Sequence, residues 1–303
     1  MIGYCCIPLG CNIDKPKKDY LKVNRGMIKK TFEAKGLSYV SELIILNLKD
    51  TLKVLDYNIE NKIYCYRLSS DSFPWMSEYD FESLPNFTTI KNLLESIGNK
   101  IKNNNFRVSY HPGPFNVLAS ENPAVVQKTI LELNKHAELM DLMLLDKTTY
   151  YPINIHINTT KPTRELAAKR FVEGFQKLNE SCKSRLTIEN DDSPNQYSVK
   201  MLHDWIYSEI NIPIVFDQHH FKCGEQDQTM KEVELAVSTW QTKALTHISS
   251  SKTIEDPKGR KTAHSDFIYE KIETFGLDFD TEIEAKSKDL ALLKYRNDYL
   301  KQF

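Results

Sequence analysis

Hydrophobic and polar positions along this chain follow two periods that alternate from the first residue to the last. Short apolar runs rich in β-branched and aromatic residues predict buried strands, and the segments between them repeat apolar residues every three or four positions, as amphipathic helices do. The predicted strands are residues 1–8, 63–68, 108–110, 153–155, 185–189, 214–217, 245–247 and 281–284. The pattern therefore predicts eight strands, most of them followed by a helix.

The segments with helical periodicity have recognisable ends. Pro123 suits a first helical turn, and the helix at residues 89–98 is predicted to end at Gly98, because glycine is common just past a helix C terminus. Another short helix is predicted to end near Gly276. The remaining predicted helices are residues 40–55, 123–140, 162–178, 198–207 and 230–240, with a closing helix that runs to the terminus.

This alternation predicts a single (β/α)8 TIM barrel, with residues 1–303 forming one domain. An open, doubly wound parallel sheet is the alternative. The barrel is favoured because side chains that bind metals stand at the ends of many strands, whereas an open sheet has its site at one crevice. In a barrel the carboxyl ends of all strands converge on one face.

Composition limits the class of protein to which this chain can belong. The chain has 303 residues, 41% of them hydrophobic, which is enough for a large core, and its 40 basic and 41 acidic residues give a net charge of -1. A nucleic-acid partner would therefore need a local basic patch, such as residues 15–18, 29–30 or 258–261.

No apolar run is long enough for a membrane span, and the amino terminus lacks signal-peptide features, so we expect an intracellular protein of the cytoplasm or nucleus. Six cysteines are too few for a disulfide framework, and we expect reduced thiols.

Polar residues with metal-binding groups follow almost every predicted strand. The stretch at residues 185–192 shows this most clearly, since a short apolar strand stops on Glu189 and further acids, which cannot stay buried unpaired. Six of the eight histidines also lie at a strand end or in the next loop, whereas His136 and His203 lie on predicted helices and have ordinary structural roles. The candidate ligands are His111, His156, Glu189, Asp217, His220, His247, His264 and Glu284.

Nitrogen and carboxylate ligands gathered from several strands are typical of a cluster of two or three metal ions, and a central glutamate can bridge two of them. Asp217 and His220 are three residues apart and can each bind one of two neighbouring ions. For His219, between them, we favour packing. Zinc, manganese and iron all suit such ligands, and the residues do not choose among them.

Six segments resemble, in order, the signature segments of the UV damage endonuclease family, which is related in fold and metal site to endonuclease IV type nucleases. They are residues 67–75, 109–113, 188–192, 217–220, 263–266 and 283–286. The resemblance implies a (β/α)8 barrel with a metal cluster. It also implies a DNA repair endonuclease that incises the phosphodiester immediately 5′ of UV photoproducts, and of other lesions such as abasic sites, leaving a 3′-hydroxyl.

The same resemblance assigns the ligands to ions and names Glu189, His111 and Asp217 as the catalytic residues. The implied first ion binds His111, His156 and Glu189; the second binds Glu189, Asp217, His247 and Glu284; and the third binds His220 and His264, with Asp266 as a further candidate. Two or three divalent ions are implied. Manganese is expected, and zinc, cobalt and magnesium are alternatives.

The family also implies contacts to damaged double-stranded DNA by a monomer without an obligate protein partner. The implied lesion contacts are Tyr4, Pro114 and Phe115, and for Tyr4 a core role is equally open. The family usually has glutamine where Pro114 stands, so the lesion-probing pair here retains only an aromatic ring. Leu245 stands where the family tends to have a lysine that can be carboxylated, two residues before His247.

Two other functions stay open at this level. A metal-dependent sugar isomerase or epimerase could use a similar barrel and metal pair; it would turn over sugars and have no affinity for DNA. A non-catalytic lesion-binding protein with a degraded site would bind DNA without metal.

Overall fold

Eight parallel strands form one barrel in the computed structural model, which describes residues 1–224 and 230–300. The strands are β1 (Ile2–Cys5), β2 (Cys65–Arg67), β3 (Arg107–Ser109), β4 (Ile153–Ile155), β5 (Leu186–Glu189), β6 (Ile214–Asp217), β7 (Ala244–Ile248) and β8 (Phe279–Ile283). Their order in the sheet is β3-β2-β1-β8-β7-β6-β5-β4. Tyr110 and Asn154 close the ring between β3 and β4, since the Asn154 amide donates to the Tyr110 carbonyl at 2.9 Å.

Helices surround this barrel. They are α1 (Lys29–Glu60), α2 (Phe87–Asn103), α3 (Pro123–Leu142), α4 (Arg164–Phe175), α5 (Glu180–Lys183), α6 (Val199–Leu202), α7 (Ser208–Ile210), α8 (Gln218–Gly224), α9 (Met230–Ser238) and α10 (Lys288–Tyr295). A π-helical turn, His203–Tyr207, joins α6 to α7, and another, Arg296–Leu300, extends α10. Single 3-10 turns lie at Gly10–Asn12, Lys17–Asp19, Ser70–Ser72, Met76–Glu78, Phe81–Ser83 and Lys252–Ile254. The predicted (β/α)8 TIM barrel is confirmed, and the open-sheet alternative is wrong.

Alternation along β5 separates residues of the apolar core from residues of the barrel interior. On β5, Leu186 and Ile188 are fully buried in the hydrophobic core, whereas Thr187 and Glu189 take part in polar contacts. Successive strand side chains point to opposite faces, so one face packs on the helices and the other lines the interior. Burying an isoleucine side chain stabilises the fold by about 1.5–3 kcal/mol. On β5 the interior face therefore carries the polar Thr187 and Glu189.

Gly98 does not end its helix, contrary to the prediction. Helix α2 continues to Asn103, and Gly98 is buried where the helix meets the end of α3. A Cβ at this position would lie 1.7 Å from the carbonyl oxygen of Met143. The glycine therefore serves close packing of backbone against backbone rather than helix termination.

The short helix predicted before Gly276 is also wrong, because residues 266–278 are irregular. Buried Ile268 and Ile272 give this segment its helical spacing. Its amides, however, have tertiary partners: the Tyr269 amide donates to Ser250 Oγ and the Ile272 amide donates to the Tyr295 hydroxyl, both at 3.0 Å. Hydrogen bonds from other elements thus replace those of a helix.

Among the described residues, none of the helices combines the length and the apolar character that crossing a bilayer requires.

Because of His136 on α3, we expect the unfolding free energy to decrease at acid pH. It is fully buried, its Nδ1 donates to the Glu132 carbonyl at 2.9 Å, and burial lowers its pKa to about 4. Between the usual histidine pKa of about 6.5 and pH 4 the unfolded chain binds more protons, so the unfolding free energy decreases as the pH falls, by up to about 3 kcal/mol from this residue. In denaturant titrations across this range, the unfolding free energy of His136→Leu should depend less steeply on pH than that of wild type. An unchanged slope in His136→Leu would contradict this assignment.

Candidate metal centre

Histidines and acids from the strand ends converge on Glu189 at the carboxyl-terminal rim of the barrel. The Glu189 side chain has no exposed surface. Its Oε2 lies 3.1 Å from His111 Nε2, 3.1 Å from His247 Nδ1 and 3.7 Å from His156 Nε2. Its Oε1 lies 3.2 Å from His220 Nδ1. Residues that are separated by more than a hundred positions in the chain thus share one carboxylate.

Three groups in the described part of the chain have the proximity that a metal ion needs, with ligand atoms within 4.8 Å of one another. They are His111, His156 and Glu189; His111, His247 and Glu284; and Glu189, Asp217 and His220. The first matches the group implied for the first ion. The other two place His247 and Glu284 with His111, and Asp217 with His220.

His264 and Asp266 lie beside these groups. His264 Nδ1 donates to the Glu284 carbonyl at 2.6 Å, and its ring centroid is 6.2 Å from that of His220. The Asp266 carboxylate instead pairs with Lys252 at 3.2 Å. Neither residue is in the three groups formed by the described residues.

The charges of the cluster fit divalent cations. Asp217 is fully buried, and its Oδ2 has no hydrogen-bond partner within residues 1–224 and 230–300. Burial alone would raise the pKa of Glu189, but the surrounding histidines hold it well below its usual range. Conversely, burial would lower the pKa of His220, but the carboxylates of Asp217 and Glu189 raise it to about 11. The buried carboxylates are therefore stabilised by positive charge close to them. Mixed nitrogen and oxygen ligands suit manganese or zinc.

Neighbouring amides and acids hold the candidate ligands in place. Asn154 Nδ2 donates to Glu189 Oε2, and Thr187 Oγ1 donates to Asn154 Oδ1 at 3.0 Å. Asp191 Oδ1 lies 2.9 Å from His156 Nδ1, which leaves Nε2 directed at Glu189. Carboxylates behind ligating histidines fix the ring orientation in metal sites.

Sequence reasoning missed Arg67 and Glu282, which lie in contact with the cluster inside the barrel. Arg67 is in contact with Glu282, Glu284 and His247. Two signals could have found them. Glu282 stands two residues before Glu284 in the predicted strand 281–284 and hence is expected to face the same side, and Arg67 is the last residue of β2.

Tyr4, for which a lesion contact and a core role were both open, lies in the core. It has no exposed surface, its hydroxyl donates to Asn58 Oδ1 of α1 at 2.9 Å, and its ring packs on Tyr66. The side chain therefore lies between the sheet and α1. The favoured packing role of His219 agrees with its 2% exposure and its hydrogen bond to the Thr262 carbonyl at 3.3 Å.

Pro114 and Phe115 are on the loop after β3, close in sequence to His111. Phe115 is 89% exposed. Both residues line an open cleft of about 890 Å³, together with Trp75 and Asn116. An aromatic ring is thus presented to solvent on the face that carries the cluster. Leu245 is fully buried inside the fold.

Comparison with known proteins agrees with this geometry. The family described as UV-endonuclease UvdE matches residues 2–303. The chain belongs to the UvdE family. It is 33% identical to a UV DNA damage endonuclease of Clostridium perfringens, covering 98% of this chain and 70% of that protein. It is 34% identical to one of Bacillus cereus, covering 82% of this chain and 79% of that protein.

A solved structure also resembles this UvdE-family protein over nearly its whole length. The crystal structure of SacUVDE aligns with a TM-score of 0.83 and 26% identity, covering 99% of this chain and 98% of that one. L-ribulose 3-epimerase aligns with a TM-score of 0.53 and 15% identity, covering 83% and 82%. The likeness to the epimerase shows the barrel fold alone, and the family match confirms the prediction of an endonuclease.

Proposed function

We propose that this UvdE-family protein is a metal-dependent nuclease that incises DNA immediately 5′ of UV photoproducts, and of lesions such as abasic sites, and leaves a 3′-hydroxyl. The observation that carries the proposal is the convergence of histidines and acids on the buried Glu189 carboxylate. We propose manganese as the native metal, damaged duplex DNA as the substrate, and a monomer as the active form.

The chain supplies positions and charge for hydrolysis. His111, His156 and Glu189 would hold one ion; Asp217, His220, His247 and Glu284 would hold its neighbours, with His264 beside them. Divalent cations at such sites activate water and neutralise the charge that develops on a phosphodiester. Glu189 keeps its negative charge because histidines surround it, and Asp191 keeps the His156 ring turned toward it.

A basic loop beside the cluster supports DNA as the partner. The loop between β7 and β8 carries exposed Lys258, Arg260 and Lys261. Glu255 orders this loop by accepting hydrogen bonds from the Asp266 amide at 2.8 Å and the Tyr269 hydroxyl at 2.7 Å. Cations on an ordered loop suit contacts to a phosphate backbone.

The test is a nicking assay on a labelled duplex with one cyclobutane dimer, with Mn²⁺, Zn²⁺, Co²⁺ or Mg²⁺, and with the undamaged duplex as control. We expect a metal-dependent nick on the 5′ side of the dimer with an extendable 3′-hydroxyl. A chelator should abolish it, and Mn²⁺ should restore it. His220→Ala should bind less metal, because His220 contributes a nitrogen ligand. Full metal content in that variant, or no nick with any metal, would contradict the proposal.

Phe115→Ala should weaken lesion recognition without affecting the metal cluster. Stacking of a base on an aromatic ring contributes about 1–3 kcal/mol, so we expect kcat/KM on the dimer duplex to fall roughly 5- to 150-fold. Because Phe115 is 89% exposed, the unfolding free energy should not change. Leu144→Ala, at an exposed apolar position 53% open to solvent, is the control. Equal kcat/KM values for wild type and Phe115→Ala would remove this residue from recognition.

A further inference from the structure

A second polar layer lies inside the barrel in direct contact with the candidate ligands. Arg67 Nε donates to Glu282 Oε2 at 2.8 Å, and Ser109 Oγ donates to Glu282 Oε1 at 2.5 Å. Ser109 is on β3 and Glu282 on β8, which are not neighbours in the sheet, so this hydrogen bond crosses the barrel interior. Both oxygens of the buried Glu282 carboxylate are therefore held.

This layer touches two of the candidate ligands. Arg67 Nη1 lies 2.5 Å from Glu284 Oε1, and Arg67 Nη2 lies 2.7 Å from His247 Nε2. Glu282 Oε2 lies 3.4 Å from the same nitrogen. The other ring nitrogen, Nδ1, faces Glu189 at 3.1 Å and Glu284 at 3.4 Å.

The chemistry of His247 distinguishes Glu282 from Arg67. A histidine that ligates a metal through Nδ1 carries its hydrogen on Nε2, and metal-binding histidines donate that hydrogen to a carboxylate or carbonyl. A guanidinium has no acceptor. In the structure Arg67 Nη2 therefore donates to His247 Nε2 at 2.7 Å, and the ring hydrogen is on Nδ1. When Nδ1 ligates a metal, the hydrogen moves to Nε2, and of the two side chains next to this nitrogen only Glu282, with Oε2 at 3.4 Å, can accept it.

We propose that Glu282, held by Arg67 and Ser109, is a positioning residue that orients His247 and, through Arg67, Glu284 toward the cluster. This inference rests on the proposed function, since it takes the cluster as a metal site. Glu282 and Arg67 act through the candidate ligands and do not themselves bind the metal.

The barrel contains a matched control pair. Arg107 Nη1 lies 3.0 Å from Asp280 Oδ2, on the same two strands as Ser109 and Glu282, and both residues are at most 1% exposed. Asp280 precedes Glu282 by two residues, so it lies on the same face of β8, further from the rim. Among the described residues, the Arg107–Asp280 pair makes no hydrogen bond or ion pair with a candidate ligand, so it shows the effect of breaking a buried pair that does not position one.

The experiment compares Glu282→Gln with Asp280→Asn by titration with Mn²⁺ alone, followed by nicking kinetics and denaturant unfolding. Loss of a partner behind a ligand typically costs 10- to 100-fold in metal affinity or activity. For Glu282→Gln we expect an Mn²⁺ affinity about tenfold weaker and a lower kcat at unchanged KM for DNA. Asp280→Asn should destabilise the fold and leave Mn²⁺ affinity unchanged.

The second variant is Ser109→Ala, which keeps every charge and releases one oxygen of Glu282. If Glu282→Gln does not fold, Ser109→Ala tests whether Glu282 positions the ligands. It should also weaken Mn²⁺ binding. Unchanged Mn²⁺ affinity in both variants would overturn the proposal, as would a wild-type protein that binds no Mn²⁺. If Mn²⁺ binding responds as expected but wild type nicks no DNA, the positioning role stands and the nuclease proposal falls.

Discussion

Glu189→Gln is expected to reduce the nicking rate by roughly 10³-fold or more, equivalent to about 4 kcal/mol of transition-state stabilisation. Glu189 lies within 3.7 Å of four histidines, His111, His156, His220 and His247. Its negative charge is therefore close to every group of candidate ligands. Glutamine keeps the size of the side chain and removes that charge. Metal content should therefore fall together with activity.

The measurement combines nicking of the dimer duplex with elemental analysis of the purified protein. Glu180→Gln is the control, because it makes the same chemical change at a side chain that is 89% exposed. It should match wild type in activity, metal content and stability. A Glu189→Gln protein that nicks at the wild-type rate with full metal content would exclude Glu189 as the central ligand.

Gly98→Ala should be the most damaging of these substitutions for stability. Alanine is favoured over glycine inside a helix by about 1 kcal/mol. Here, however, its Cβ would meet the Met143 carbonyl oxygen at 1.7 Å and the carbonyl carbon at 2.6 Å. Backbone atoms cannot rotate away, so α2 must shift from α3, and overpacking of this kind costs about 3 kcal/mol or more. We expect a net loss of at least about 2 kcal/mol in unfolding free energy.

Denaturant unfolding with Gly26→Ala as the control would check this prediction. A Cβ on Gly26 meets nothing within 4 Å. Its unfolding free energy should stay within about 0.5 kcal/mol of wild type. A Gly98→Ala protein as stable as Gly26→Ala would mean that the contact between α2 and Met143 relaxes freely.

The barrel was predictable because its signals are local. On β5 and β6, apolar β-favouring residues stop at Glu189 and Asp217, and both acids end their strands in the structure. Once the strands are parallel and closed into a ring, their carboxyl ends must share a rim. This rule and the family resemblance predicted eight candidate ligands, and seven of them fall in the three groups formed by the described residues, with His264 beside them.

Other features depend on contacts that local spacing does not report. The family resemblance implies a lesion contact for Tyr4, but its hydroxyl donates to Asn58 and its ring is buried. Gly98 has the composition of a helix end, but it lies against Met143, which is 45 residues later in the chain. In both cases a distant segment determines the role of the residue.

The sequence by itself determined the barrel and the set of histidines and acids at the ends of its strands, because strand periodicity and the cost of burying unpaired charge act over a few residues. Only the tertiary structure decided how these side chains are grouped around the two oxygens of Glu189, and that Arg67 and Glu282 lie behind His247. The physical reason is that hydrogen bonds and ion pairs depend on distances of a few ångströms between strands, and those distances are fixed by closure of the barrel and packing of its helices.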